Sequence, residues 1–446
     1  MIAALVALAL AAPITLDEVK AASRQNLEAL RAEIEVRRQT LGVDVAKSAI
    51  YPQLSVTAQG QGFYAGAQRV LQNAPVFDAT GNITGFQQRI GDIPISTSRA
   101  NFNLGITVSQ LIYDGGRWWN QIAQAGHQET AAEGQLAEQR LVSEQEAVNR
   151  FFTLLQAQLS LSVLENAVKR SQDQVARAES LYQAGRAGKF DALNAQVNLG
   201  NDRISSLRQV QTVVASQVEL LKWLGQSTRD VEAVDPGGIA QDEPQAPAPA
   251  YDTALAVAKK HRPLLQALDA QVAVQQSAVD LGWAPFLPSV SLQGGYQRQA
   301  PTVDPFFTDP SRNNVLWGGL NLSWNVFNGF GNQAQLNQAR ESLSQATLQR
   351  ERAEVDLGGD LRRVIRALET QLQVAAVAAD NLRLSQAGLT LAEERFNAGA
   401  GSTIEVRDAQ VKLITAQLSS LQARVDVEIA RAALKRVVGA DVEGDK

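Results

Sequence analysis

The chain has 446 residues, a formal net charge of −5, 45% hydrophobic residues and no cysteine. The mildly acidic balance gives no basic field for nucleic acid. Disulfides are excluded, and two histidines (His127 and His261) leave no donor set for a structural zinc or iron–sulfur site, so no metal or cofactor is expected.

The opening MIAALVALALAAP is apolar but shorter than the roughly 20 residues that cross a bilayer. It reads as a secretory leader over residues 1–11, with Ala9-Leu10-Ala11 as an A-x-A processing site. No later run reaches the ~18 uninterrupted apolar residues of a membrane helix, so a membrane location requires a β-barrel.

A helical pattern covers about Leu16 to Ile50. Two segments with period-2 alternation follow, Leu54–Tyr64 and Phe102–Ile112, each with one apolar and one polar face. From Arg117 to about Tyr182 apolar residues recur at three-and-four spacing (Leu141, Val148, Phe152, Leu155, Leu159) without a proline. At 1.5 Å per residue such a helix is about 100 Å long, a length of coiled coils and helical repeats rather than compact domains. It is interrupted by LYQAGRAGKFDALNAQV (Leu181–Val197), after which an amphipathic helix returns over Asp191–Leu224.

The same order then recurs. Pro52 and Pro288 match at an offset of 236, and Ser109/Ser323, Gly185/Gly399, Asp191/Glu405 and Gly225/Gly439 at 214. The difference, 236 − 214 = 22, marks a longer loop in the first half between Ser55 and Ser109. The second copy has a helix over Asp252–Trp283, strands at Ser289–Gln299 and Leu320–Phe327, a long helix from Gly331 to about Phe396, the break RFNAGAGSTIEVRDAQV and a return helix over Glu405–Val438. The chain therefore divides into a first repeat (12–234), a Pro-rich linker (235–251) and a second repeat (252–446).

Four strands per chain cannot close a barrel, and lipid tolerates no open sheet edge, so several chains must share one barrel. Its polar face lines a wet interior and its apolar face meets lipid. Aromatics gather where strands hand over to helices (Tyr51, Tyr113, Trp118, Trp119, Trp283, Phe286, Trp324, Phe327), as in a membrane-interface girdle.

This doubled order resembles the TolC-like outer membrane efflux proteins. The resemblance is carried by AKSAIYPQLSV, SQLIYDGGR, LYQAGRAGKFDALNAQVNL, WAPFLPSVSL, LSWNVFNGFGN and RFNAGAGSTIEVRDAQVKL. It implies an α+β membrane protein: a trimer with a twelve-stranded transmembrane β-barrel, four strands per chain, continued by a long α-helical coiled-coil barrel across the periplasm. It also implies a passive exit duct of a tripartite efflux or type I secretion system in the Gram-negative outer membrane. Such ducts work with a periplasmic adaptor and an inner-membrane transporter of the RND, ABC or MFS class.

By the same resemblance, Glu405, Asp408 and Asp191 are the candidate pore constriction. Ala184, Gly185, Arg186, Ala187, Ala398, Gly399, Ala400 and Gly401 are the candidate tip and adaptor-docking surface. Glu405 and Asp408, at i and i+3, share a helix face, and rings of carboxylates select cations. A structural alternative exists for Glu405, because Ser402-Thr-Ile-Glu405 also spells a helix capping box. Some members carry an Arg two positions after the tip glycine that helps hold the pore shut. Here that position is Gly401, which moves the expected lock elsewhere, to Arg186 or Arg407.

Enzyme-like signals fail on context. GFGNQA (Gly329–Ala334) lacks the short βαβ unit of a dinucleotide fold, because the helix after it runs over 60 residues. Gly188-Lys189-Phe190 lacks P-loop spacing, and neither histidine has a Ser/Asp constellation. The rival to the duct is a periplasmic coiled-coil adaptor or structural rod, which accounts for the helices but not for four amphipathic strands.

Overall fold

A computed structural model describes residues 14–66, 68–93, 97–226, 247–304, 308 and 311–440. The expected leader and most of the linker lie outside the described residues. The chain divides into two compact units: one of residues 1–41, 125–275 and 342–446, the other of 42–124 and 276–341.

The first unit is helical. α1 (Leu16–Ser23) starts at a capping box in which Thr15 Oγ1 accepts from Glu18 N–H at 3.3 Å and Glu18 accepts from Thr15 N–H at 3.2 Å. α2 (Leu27–Lys47) is separate because Asn26 restarts the helix, its Oδ1 accepting from Ala29 N–H at 2.8 Å. The single helix expected over Leu16–Ile50 is thus broken. The expected Asp252–Trp283 helix is broken as well, into α5 (Tyr251–His261) and α6 (Pro263–Leu281). Pro263 lacks an N–H and holds Arg262 in an extended conformation.

The long helices match their expected spans closely. α3 (Arg117–Gln183) and α4 (Lys189–Trp223) form the first hairpin, and α7 (Gly331–Asn397) and α8 (Thr403–Val438) the second. α3 and α7 start in the same way: Asp114 accepts from Trp118 N–H at 3.1 Å, and its twin Asn328 accepts from Asn332 N–H at 3.2 Å. Two cores repeat the duplication. Ala147, Phe151 and Leu154 of α3 are buried with Val19, Leu220, Leu221 and Val425. Their counterparts Leu361, Ile365 and Leu368 of α7 are buried with Ala258, Leu265, Val427 and Leu434. Each fully buried Phe or Leu contributes about 1.5–3 kcal/mol by leaving water. Along α4, Phe190, Leu193, Val197, Ile204, Leu207, Val214 and Val218 form an exposed apolar stripe at helical spacing.

The second unit carries the sheet. β1 (Gln53–Ala65), β4 (Thr97–Tyr113), β5 (Ser289–Ala300) and β6 (Asn314–Ser323) are antiparallel neighbours in the order β1-β4-β5-β6. The two halves meet at β4–β5, and β1 and β6 are the edges. The 22-residue surplus of the first half lies in a ribbon of β2 (Gln68–Phe77) and β3 (Ile83–Ile93), which among the described residues pair only with each other. The repeat offset predicts only a longer loop here, and the structure pairs it into two strands. β6 also differs from expectation, ending at Ser323 so that Trp324–Phe327 lie beyond the ladder.

Candidate functional site

Both helical hairpins turn through the same device. Gly185, at φ +70°, donates to Tyr182 O at 2.9 Å while Arg186 N–H donates to Leu181 O at 2.8 Å. Gly399, at φ +76°, donates to Phe396 O at 3.0 Å while Ala400 N–H donates to Arg395 O at 2.9 Å. These are Schellman ends, in which a left-handed residue brings two N–H groups back onto the last carbonyls, and glycine takes that conformation without a Cβ clash.

The returning helices start differently. Gly188 precedes α4, and its N–H donates to Asp191 Oδ2 at 3.2 Å. Ser402 precedes α8, and its Oγ accepts from Glu405 N–H at 3.2 Å. Only half of the capping box is made there, because the Glu405 carboxylate lies 3.8 Å from Arg395 at the end of α7. Asp408 pairs with Lys412 at 2.6 Å. Asp191 and Asp408, from different hairpins, line one cleft of about 350 Å³ together with Arg407, Asn194, Asn198 and Gln410. Glu405 lies outside that lining.

Arg407 is the most constrained cation of the tip. Its guanidinium grips Asp202 of α4 with two bonds of 2.8 and 2.9 Å and donates to Ser171 of α3 at 3.4 Å. Ser171 Oγ also donates to Asp202. The pair is largely shielded, with side-chain exposures of 23% for Arg407 and 12% for Asp202. Burial raises the Asp202 carboxyl, but the bonds from Arg407 and Ser171 outweigh it and hold its pKa below the usual carboxylate value. One turn on, buried Gln410 donates to Gln174 of α3 at 3.0 Å. α8 is thus tied to the first hairpin by a planar charged fork and an amide–amide hydrogen bond.

Of the two candidate lock cations, Arg186 stands exposed at the first turn. At Gly401 a Cβ would come within 3.0 Å of Phe396 N and 3.2 Å of Arg395 C, so the backbone there already presses on the end of α7. Nothing in the sequence marks Asp202, Ser171, Gln174 and Gln410 as partners of the tip. Asp202 is one acid among many on a polar helix, and its partner lies 205 residues away.

In the second unit, the register fixes the two faces of the sheet. One carries Ser55, Thr57, Gln59 and Gln61 of β1, opposite Thr107, Asn103 and Asn101 of β4. It continues with Gln293, Gln297 and Gln299 of β5 and Asn321 of β6. The other face carries Leu54, Val56 and Ala58, then Val108, Ile106 and Leu104, then Val290 and Leu292, then Leu322, Leu320 and Leu316. At the helix-bearing end, Trp118 and Trp119 stack at 3.6 Å, and Trp283 lies under Arg340 at 5.7 Å. Trp324 Nε1 donates to Phe286 O at 3.1 Å. Tyr113, Trp119, Trp283, Trp324 and Phe327 are all exposed, and Trp118 is half-buried. Among the described residues no helix is long and apolar enough to cross a membrane.

Known proteins share this arrangement. Residues 19–226 and 254–440 match the outer membrane efflux protein family. The chain is similar to the outer membrane efflux protein BepC of Brucella suis biovar 1 (strain 1330), 26% identical over 358 residues that cover 78% of this chain and 74% of BepC. Its fold is similar to that of CusC, solved in a study of folding and transmembrane channel formation, with a TM-score of 0.75 at 16% identity over 97% of this chain and 96% of CusC. It is also similar to the open state of the Neisseria gonorrhoeae MtrE outer membrane channel, with a TM-score of 0.74 at 16% identity over 96% of this chain and 90% of MtrE. The chain belongs to the outer membrane efflux protein family: it is an exit channel of the Gram-negative outer membrane and not an enzyme.

Proposed function

We propose that three copies of the chain close one twelve-stranded barrel in the outer membrane and extend it as a helical tube into the periplasm. The observation that carries this reading is the four-stranded sheet, with one mainly polar face, one mainly apolar face interrupted by Arg298, and edges at β1 and β6. An open edge in lipid leaves backbone groups unsatisfied, and four strands are about half of what the smallest closed barrel needs. The apolar stripe along α4 supports packing against a further copy. The repeats 12–234 and 252–446, joined by the linker 235–251 and preceded by a leader over 1–11, supply two hairpins each to this assembly.

The duct works as the outer member of a tripartite system, with a periplasmic adaptor and an inner-membrane RND, ABC or MFS transporter. The turns Ala184–Ala187 and Ala398–Gly401 form its docking surface. Glu405, Asp408 and Asp191 form the constriction, a reading supported by the cleft that Asp191 and Asp408 share. The gate is held by Arg407 on Asp202 and Ser171, because this fork joins the second hairpin to the first.

The test is single-channel recording from reconstituted protein. Glu405→Ala/Asp408→Ala trimers are expected to lose cation preference and block by multivalent cations, and Arg407→Ala trimers to open more often. Unchanged selectivity rejects the constriction. A monomeric, detergent-independent product favours the periplasmic rod over the duct.

A further inference from the structure

One rung of the sheet is built twice, and the two copies differ at both of its residues. On β1 and β4, Gln59 stands opposite Asn103. The repeat offsets of 236 and 214 carry these positions to Gly295 of β5 and Trp317 of β6, which again stand opposite each other. Both rungs lie on the mainly polar face. An amide pair in the first repeat is thus a glycine and an indole in the second. Space couples the two changes. A Cβ at 295 would come within 3.1 Å of Cε2 and Cζ2 of Trp317, so the ring lies over the strand where glycine leaves room. The same Cβ would come within 2.8 Å of Ile106 O, which gives this glycine a backbone reason as well.

Covering a glycine accounts for the underside of the ring and not for the rest of it. The apolar face uses the same device: Phe102 lies over Gly60, its Cε1 3.0 Å from where a Cβ would stand. That ring is half-buried, on the side that meets lipid in the barrel reading. Trp317 instead leaves 40% of its surface bare on the side that lines water. An exposed indole costs free energy that the Gln59–Asn103 rung avoids. Beside the ring, Gly319 follows on the same face of β6, and nothing lies within 4 Å of where its Cβ would stand. Around this notch, Thr107, Gln293 and Gln297 share the face and offer hydroxyl and amide groups. Among the described residues of this face of β5 and β6 none is charged. A molecule resting here meets an aromatic plane and neutral hydrogen-bonding groups.

We propose that Trp317 is a stacking shelf in the channel wall for neutral planar aromatic molecules in transit. The ligand lies on the bare face of the indole, extends over the notch at Gly319, and hydrogen-bonds through its substituents to Thr107, Gln293 or Gln297. The proposal rests on the membrane-barrel reading, which turns the polar face inward. Each copy in the barrel carries one shelf, because the first repeat has Asn103 in place of the ring. Aromatic stacking is strong enough to slow a molecule at the wall and too weak to trap it.

The test is single-channel recording from trimers in planar bilayers, with caffeine as a neutral planar aromatic probe and glucose as the non-aromatic control. Caffeine should interrupt the wild-type current in brief blocks, and glucose should not. Trp317→Asn should shorten those blocks roughly three- to tenfold, whereas Trp317→Tyr should largely retain them. The graft Gln59→Gly/Asn103→Trp should make blocks more frequent, since each chain then carries two shelves. Blocks unchanged by Trp317→Asn on conducting trimers overturn the shelf alone, as does equal block by glucose and caffeine. A Trp317→Asn protein that loses thermal stability in detergent yet keeps the blocks marks the ring as strand packing and overturns the shelf too. Where Trp317→Asn fails to assemble, the graft decides, and an unchanged block frequency overturns the shelf. Wild-type protein that forms no conducting trimer overturns the barrel reading and the shelf together.

Discussion

The two helical turns share a backbone and differ in chemistry. Both end with a Schellman glycine at nearly the same φ, yet the first returns through Gly188 and Asp191 and the second through Ser402 and Glu405. The contrast is sharper one turn deeper. Arg407 and Asp202 form the tie between hairpins, while their counterparts in the other repeat, Leu193 and Ala416, are apolar. Duplication therefore kept what the backbone needs and let the charged groups diverge. A tie between the hairpins can be opened without loosening either turn only if it is made of different groups from the turns themselves.

The largest expected effect breaks this asymmetry directly. Asp202→Ala leaves a shielded guanidinium unpaired and should cost about 3 kcal/mol of helix-bundle stability. The double variant Asp202→Ala/Arg407→Ala should cost clearly less than the sum of the single variants, because no charge is then stranded. Thermal unfolding in detergent measures both, and strict additivity counts against a direct tie. The counterpart change Ala416→Ser, at a buried site without such a tie, should cost only about 1 kcal/mol, through burial of the new hydroxyl.

The pH response follows from the same pair. Asp202 has its folded pKa depressed below the unfolded value, so its contribution is fully present above about pH 4 and is lost as pH falls further through the folded pKa. Hydrogen exchange across α4 and α8 should be unchanged by this group between pH 8 and 5 and should accelerate below about pH 4. A loosening centred near pH 6 would assign the tie to another group.

Smaller effects sharpen the likeness of the turns. Gly185→Ala and Gly399→Ala should each cost about 1–2 kcal/mol, equally in the two repeats, since both glycines sit in the left-handed region. Ser402→Ala should cost about 1 kcal/mol through loss of the cap on Glu405 N–H, whereas Gly188→Ser should gain only a few tenths. Unequal glycine penalties, read by chemical denaturation, would show that the first and second turns bear different tertiary loads.

Much of the fold was legible because it rests on local rules. The alternation Leu54/Val56/Ala58 against Ser55/Thr57/Gln59 became two faces of one sheet, and the glycines at 185 and 399 became helix ends. The breaks at Asn26 and Pro263 were present as a capping residue and a proline but were outvoted by the long apolar periodicity around them. The β2–β3 ribbon was missed because Gln68–Ile93 mixes glycine, polar and apolar residues with weak alternation, and its pairing gives the strands their definition.

The sequence by itself determined the duplication, the long helices, the four two-faced strands and the places where helices turn, since each follows from periodicity or from a residue with a special backbone. The tertiary structure alone decided which charges meet. Arg407 meets Asp202 across 205 residues, and no spacing rule relates them. It also decided that Asp191 and Asp408 share a cleft while Glu405 turns to Arg395. A helix specifies its own backbone within a turn or two, but the partners of its polar face are set by which helix packs beside it.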